Sequence, residues 1–169
     1  MSAQDVIMGS RVAHVRELKA EIERLKAENT ALRDEAASLR AHFDLALLAA
    51  HDLRGLPDGG RLEIWDGWNL ILGAKKAARD RDDLVAQAQA ATAADGRLRV
   101  WIVLDGPDER VRLHDGNVRV SYTGGTGEHR ADKFVCAYLR MAKYLGLADR
   151  VTVRTNDRDF AKTVARLQA

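Results

Sequence analysis

Cysteine, proline and aromatic residues are scarce in this chain, and each scarcity removes a class of answer. A single cysteine, Cys136, stands among 169 residues, so neither an intrachain disulfide framework nor a cysteine-based zinc cluster is available. The two prolines are Pro57 and Pro107, which leaves the first fifty residues free of helix breakers of that kind. No run approaches the roughly 18 uninterrupted apolar residues of a membrane span, and Met1 to Ser10 lacks the charged-then-apolar plan of a signal peptide. These absences lead us to expect a cytoplasmic protein with no membrane partner. A strong surplus of one charge is missing too, since the formal net charge is +2. Its distribution is uneven: residues 1–53 carry 7 basic and 9 acidic groups, and residues 54–169 carry 20 and 16. A mild basic excess permits nucleic-acid binding without demanding it.

What fills the first fifty residues is Ala, Leu, Glu, Lys and Arg, all strong helix formers. Leu18, Leu25, Leu32 and Leu39 recur every seventh residue, and three positions before each stand Val15, Ile22, Asn29 and Ala36. This is the a/d seam of a coiled coil, and leucine at d with Val and Ile at a favours two parallel strands. A single Asn29 at an a position fixes register by bonding its counterpart. Glu21, Glu28 and Glu35 at g would face Lys26, Arg33 and Arg40 at e of a parallel partner. An antiparallel pair would instead set glutamates against glutamates. The competing reading is a lone amphipathic helix folded back on its own domain. Beyond Leu39 the apolar pattern widens through Phe43, Leu45, Leu47 and Leu48, where the coil is expected to meet the globular part.

Arg54-Gly55-Leu56-Pro57-Asp58-Gly59-Gly60 ends the helix. The expected organisation is a coiled-coil helix over 1–53, a linker over 54–60 and an α/β domain over 61–169. In that domain we read strand Leu62–Asp66, helix from about Leu70 to Ala93, strand Val100–Leu104 and a hairpin around His114-Asp115-Gly116-Asn117. Helix from about Arg130 to Leu145, strand Val151–Arg154 and helix Asp159–Leu167 follow. Short apolar strands alternating with helices predict a small, mostly parallel sheet covered on both faces.

In such sheets ligands gather beyond the carboxyl ends of the strands. Asp66 ends the first strand, Asp105 the second, Asp157 follows the last, and Asp132 opens a helix after Gly124-Gly125-Thr126-Gly127. Four carboxylates gathered at one edge would repel one another unless a cation sat among them, and oxygen ligands suit Mg²⁺ or Mn²⁺. One or two such ions are what phosphodiester hydrolysis uses. Each aspartate also has a bland reading as turn former or helix cap: Asp105 can simply open the loop Gly106-Pro107-Asp108, and Asp159 can simply start the last helix.

Asp66-Gly67-Trp68-Asn69-Leu70-Ile71 resembles the Asp-Gly-Tyr-Asn-Val-Ile opening of the bacterial NYN family, a branch of the PIN-like ribonucleases. Ala77-Ala78-Arg79-Asp80-Arg81, Val103-Leu104-Asp105-Gly106, Val120-Ser121-Tyr122-Thr123 with Ala131-Asp132, and Val153-Arg154-Thr155-Asn156-Asp157 follow in that family's order, over roughly residues 61–165. The resemblance implies a PIN-like fold and a Mg²⁺- or Mn²⁺-dependent endoribonuclease. It carries metal-site carboxylates onto Asp66, Asp132, Asp157 and Asp105, with Asn69 orienting the site. Three positions depart from the pattern: Trp68 replaces tyrosine, Asn156 replaces a small hydroxyl residue, and Lys133 stands where an acid is common. The domain is also short for that branch.

Arg79, Arg81, Arg130, Lys133 and Arg158 are candidates for contacts to RNA phosphates, and Trp68 for stacking on a base. A solvated helix face explains most of the cations equally well. Trp65 and Trp101 read as core, and His114, His129 and Cys136 are assigned no chemistry. The leading function is an endoribonuclease dimerised by its coil, with RNA as substrate and a larger ribonucleoprotein or the ribosome as a further partner. The alternative is a non-catalytic RNA-binding or scaffold protein whose site has decayed. A transcription regulator is disfavoured, because no dense basic region precedes Val15.

Overall fold

The computed structural model describes residues 3–73, 77–107, 109–124 and 129–169. The side chains of Leu39 and Phe43, together with Asp108 and Gly125-Thr126-Gly127, lie outside the described residues. The chain divides into two units, Met1–Asp44 and Leu45–Ala169.

Helix α1 spans Ala3–Arg54 and so runs through both units. In the first unit the apolar seam lies bare: Val15, Leu18, Ile22, Leu25 and Leu32 are each about half exposed. Local ion pairs support the helix, Glu21 with Arg24 at 2.6 Å and Glu23 with Lys26 at 2.8 Å. Exposed pairs of this kind, screened by solvent, add little to stability.

The second unit begins at Leu45, upstream of the linker expected at 54–60. The last turns of α1 belong to its core, with Ala49 and Leu53 fully buried. Strand β1 (Arg61–Asp66), helices α2 (Gly67–Leu72) and α3 (Arg81–Ala94) and strand β2 (Leu98–Leu104) come next. Hairpin strands β3 (Glu109–His114) and β4 (Val118–Thr123), helix α4 (Arg130–Tyr144), strand β5 (Val151–Arg154) and helix α5 (Arg158–Gln168) complete it. The strand order is β3-β4-β2-β1-β5. All neighbours are parallel except the β3–β4 hairpin. The expected α/β class and mostly parallel sheet are therefore present.

One expected element is divided. The helix read as Leu70–Ala93 is two helices: the Gly73 N–H makes the last bond of α2, to the Asn69 carbonyl, whereas the Ala77 and Ala78 N–H groups both reach the Leu70 carbonyl, too far back in the chain for a helical bond. Asp80 then starts α3 afresh, its side chain accepting from the Asp83 N–H. This N-cap satisfies a donor that a new helix otherwise leaves orphaned.

Alternation along the strands fills two cores. Leu62, Ile64, Trp101 and Val103 face α4, α5 and the end of α1, while Trp65, Val100, Ile102 and Leu104 face α2 and α3. Full burial of such side chains stabilises by roughly 1.5–3 kcal/mol each. Trp101 donates its indole N–H to Ser121 at 2.8 Å and packs edge-on against Phe134 and Tyr138. Asp52, near the end of α1, takes a two-pronged ion pair from Arg119 on β4 at 2.7 and 2.8 Å. No helix among the described residues is long and apolar enough to cross a membrane.

Candidate active site

Four parallel strands bring their carboxyl ends to one edge of the sheet, with β1 between β2 and β5. Asp66 closes β1 at that centre and is only 3% exposed. The next residue must be small: a Cβ on Gly67 would stand 2.4 Å from a Leu104 methyl. The missing side chain lets α2 begin directly against β2, which keeps Asp66 pressed into the edge. Asp66 Oδ2 accepts from Asn69 Nδ2 at 2.6 Å and from Thr155 Oγ1 at 2.7 Å. Burial raises its pKa above the ordinary carboxylate range, the hydrogen bonds from Thr155 and Asn69 oppose the rise, and the charge of Asp157 adds to it. Among the described residues no cation pairs with Asp66.

Asp132 enters from the first turn of α4. Its pKa is also raised, first by burial and then by the charge of Asp66, with Asp157 adding to the rise and His129 opposing it. His129 Nδ1 lies 3.3 Å from Asp132 Oδ2. Asp157 caps α5, its Oδ1 accepting from the N–H groups of Asp159 and Phe160, and these bonds lower its pKa. Thr155 ties two acids together, because the hydroxyl that donates to Asp66 also accepts the Asp157 N–H at 3.1 Å. Asp66, Asp132 and Asp157 thus feel one another's charge, and Asn69 belongs to the same cluster.

Asp105 is held differently. Its Oδ1 accepts from the Ala131 N–H at 2.7 Å and from Thr123 Oγ1 at 3.0 Å. His129 occupies the N-cap position of α4 but offers no side-chain cap. Asp105 supplies the acceptor from across the sheet edge, and so anchors the turn that carries Asp132. Its backbone carbonyl accepts the Trp68 indole N–H at 2.7 Å.

Among the described residues no three His, Cys, Asp or Glu side chains form a group that could itself hold a metal ion. The chemistry of the donors is nevertheless of the kind that takes a hydrated Mg²⁺ or Mn²⁺ through intervening waters. Its ligands are hard carboxylate oxygens, Asp66 has only neutral hydrogen-bond partners, and such ions keep several waters between themselves and the protein. Asp66, Asp132 and Asp157 are the residues that would hold it.

The candidate RNA contacts fall on two sides of the sheet. Lys133 lines the cleft of α4 and α5 with His129, Asp132, Arg140 and Asp157, and Arg158 is exposed at the start of α5. Arg130 reaches back to the Thr123 carbonyl at 3.2 Å. On the other side, Arg81 bonds Asp82 and the Tyr122 hydroxyl and lines a groove with Trp68. Arg79 is largely exposed, beside Asp83. Sequence reasoning passed over Thr155 and His129. Thr155 carried a signal in its place directly after the last strand, and His129 in its three-residue spacing from Asp132.

Comparisons of the chain with family models, with curated proteins and with solved structures gave no match.

Proposed function

We propose that the chain is a divalent-cation-dependent endoribonuclease, with Asp66, Asp132 and Asp157 as its cation site. The observation that supports this most directly is Asp66 itself, a buried carboxylate with neutral partners only, beside two further carboxylates. Asp157 has a structural use as the cap of α5, but the charged forms of Asp66 and Asp132 are disfavoured by burial and by their neighbours' charge until a cation neutralises them. The ion would supply activation of a water molecule and neutralisation of charge on the scissile phosphate. The chain's own groups do the positioning. Asn69 and Thr155 fix the Asp66 carboxylate, Asp105 anchors the turn bearing Asp132, and the Asp157 cap rigidifies the third acid. Lys133 and Arg140, both exposed in the cleft, would hold the phosphate before attack.

The PIN-like identity of the fold belongs to the same proposal, supported by the order of the strand-end motifs. So does pairing of two copies through a parallel coil, supported by the half-exposed seam and the complementary g and e charges. A scaffold or RNA-binding protein without catalysis is the second reading. It is favoured by the lack, among the described residues, of a group able to bind a metal directly, and by Lys133 in the cleft.

The discriminating experiment incubates purified protein with single-stranded and structured RNA in Mn²⁺, Mg²⁺ or EDTA, beside Asp66→Asn. Cutting that needs the cation and disappears in the variant supports the enzyme. RNA binding without any cutting supports the scaffold.

A further inference from the structure

The groove on the α3 side of the sheet edge has a composition unlike that of the acidic cleft. Trp68, Arg81, Arg110, Arg112 and Tyr122 line it. Period-two alternation along the edge strand β3 puts Arg110 and Arg112 on one face, opposite Tyr122 and Val120 of β4, while Val111 and Leu113 take the other. Three guanidinium groups therefore share the groove with two aromatic rings. Among the described residues lining it the one acid is Asp105, whose Oδ1 is already bonded to Ala131 and Thr123.

Both rings are fixed. Trp68 is 37% exposed, yet its indole N–H is held by the Asp105 carbonyl. Tyr122 lies over Gly106, where a Cβ would come within 2.8 Å of the ring, and its hydroxyl accepts from Arg81 at 3.3 Å. An open, immobilised indole beside arginines is what a stacking platform needs, since a base can lie on the ring with little further loss of side-chain freedom. The groove lies at the same carboxyl edge of the sheet as the acids, because Asp105, which lines it, follows β2 and accepts from the Ala131 N–H next to Asp132.

We propose that this groove is the track for a single-stranded segment of nucleic acid, with Trp68 and Tyr122 stacking on unpaired bases and Arg81, Arg110 and Arg112 holding phosphates. As the substrate side of a nuclease it rests on the function proposed above. A duplex hides its base faces, so the track selects single strands. Arginines on an edge strand also discourage edge-to-edge pairing. That role alone would make no difference to nucleic-acid affinity.

The test is fluorescence anisotropy of the full chain in EDTA, so that nothing is cut. The probes are a labelled RNA strand of about 12 nucleotides, within the span of one single-strand-binding domain, the DNA strand of the same sequence, and the RNA duplex. The single strands should bind at least roughly 10-fold more tightly than the duplex, and Trp68→Leu should weaken that binding by roughly 10-fold. Arg112→Gln, at an exposed position that folding does not depend on, should lower the slope of log affinity against log salt by about 0.7, the loss of one phosphate contact. The RNA and DNA arms separate a track that also reads the 2′-hydroxyl from one that reads only bases and phosphates. An unchanged salt slope in Arg112→Gln, or a duplex bound as tightly as the strand, overturns the track. If the wild-type chain cuts nothing with Mn²⁺ while these variants still lose binding, the hydrolytic reading falls and the track stands.

Discussion

At Asp66 burial and hydrogen bonding act in opposite directions, and burial wins. The same holds at Asp132, where the Asp66 charge reinforces it. Because their pKa values are raised, these groups keep protons in the native chain over a pH window in which the unfolded chain has released them. The native state then binds more protons, so metal-free stability falls as pH rises through that window. Asp157 has the opposite sign: its lowered pKa contributes stability at higher pH that is lost as pH falls through the lowered value. Urea unfolding of metal-free protein from about pH 4 to about pH 7 should show the fall for wild type and a smaller one for Asp66→Asn. That variant should be as stable as wild type or more so at neutral pH, and inactive. Asp105 is a different case, since its Oδ1 caps α4. Asp105→Ala should cost about 1 kcal/mol or somewhat more in denaturant unfolding, the usual loss of a cap. Asp105→Asn, which keeps an acceptor oxygen, should recover most of that. A ligand role for Asp105 would instead show as weakened cation binding in Asp105→Asn with stability intact.

At the scale of elements, α1 serves two units. In the first unit its seam residues are half exposed, whereas Ala49, Asp52 and Leu53 belong to the buried part of the second; the proposed coil would cover that seam. Removing residues 1–44 should leave a folded domain that sediments as a monomer while the full chain sediments as a dimer. Removing 1–53 should not leave a stable fold. It strips Leu53 from the core, a loss of about 2–5 kcal/mol for a buried leucine, and leaves the part-buried Arg119 without Asp52. Asn29→Leu should raise the melting temperature of the full chain and broaden its distribution of oligomers. The break between α2 and α3 shows what an element-level reading of sequence misses. Ala77 and Ala78 have high helix propensity, but Asp80 with Asp83 three residues on forms a cap, and that local bond decides where α3 starts.

For the whole molecule, the proposed cation should act as a ligand of the native state alone and raise the melting temperature of the wild-type chain. At about 100 times its dissociation constant the gain is about 2.7 kcal/mol. Thermal shift with Mn²⁺ should show it in wild type and not in Asp66→Asn, while equal shifts in both would place the ion elsewhere. By itself the sequence determined most of the elements: leucine heptads made a long helix, short apolar runs made strands with Asp66 and Asp105 at their ends, and Asp115-Gly116 turned a hairpin. These are local periodicities, legible because a residue's neighbours in sequence are its neighbours in a helix or strand. Tertiary structure decided which strand lies beside which, and so placed β1 between β2 and β5 with Asp66 at the centre. It alone gave Asp66 the Thr155 hydroxyl, gave the start of α4 its cap from Asp105, and drew Ala49 and Leu53 into the core. It also separated Arg81 and Lys133 onto opposite sides of the sheet. Those relations join residues far apart in the chain, and no spacing records them, because hydrogen bonds and burial depend on distance in space and not on distance in sequence.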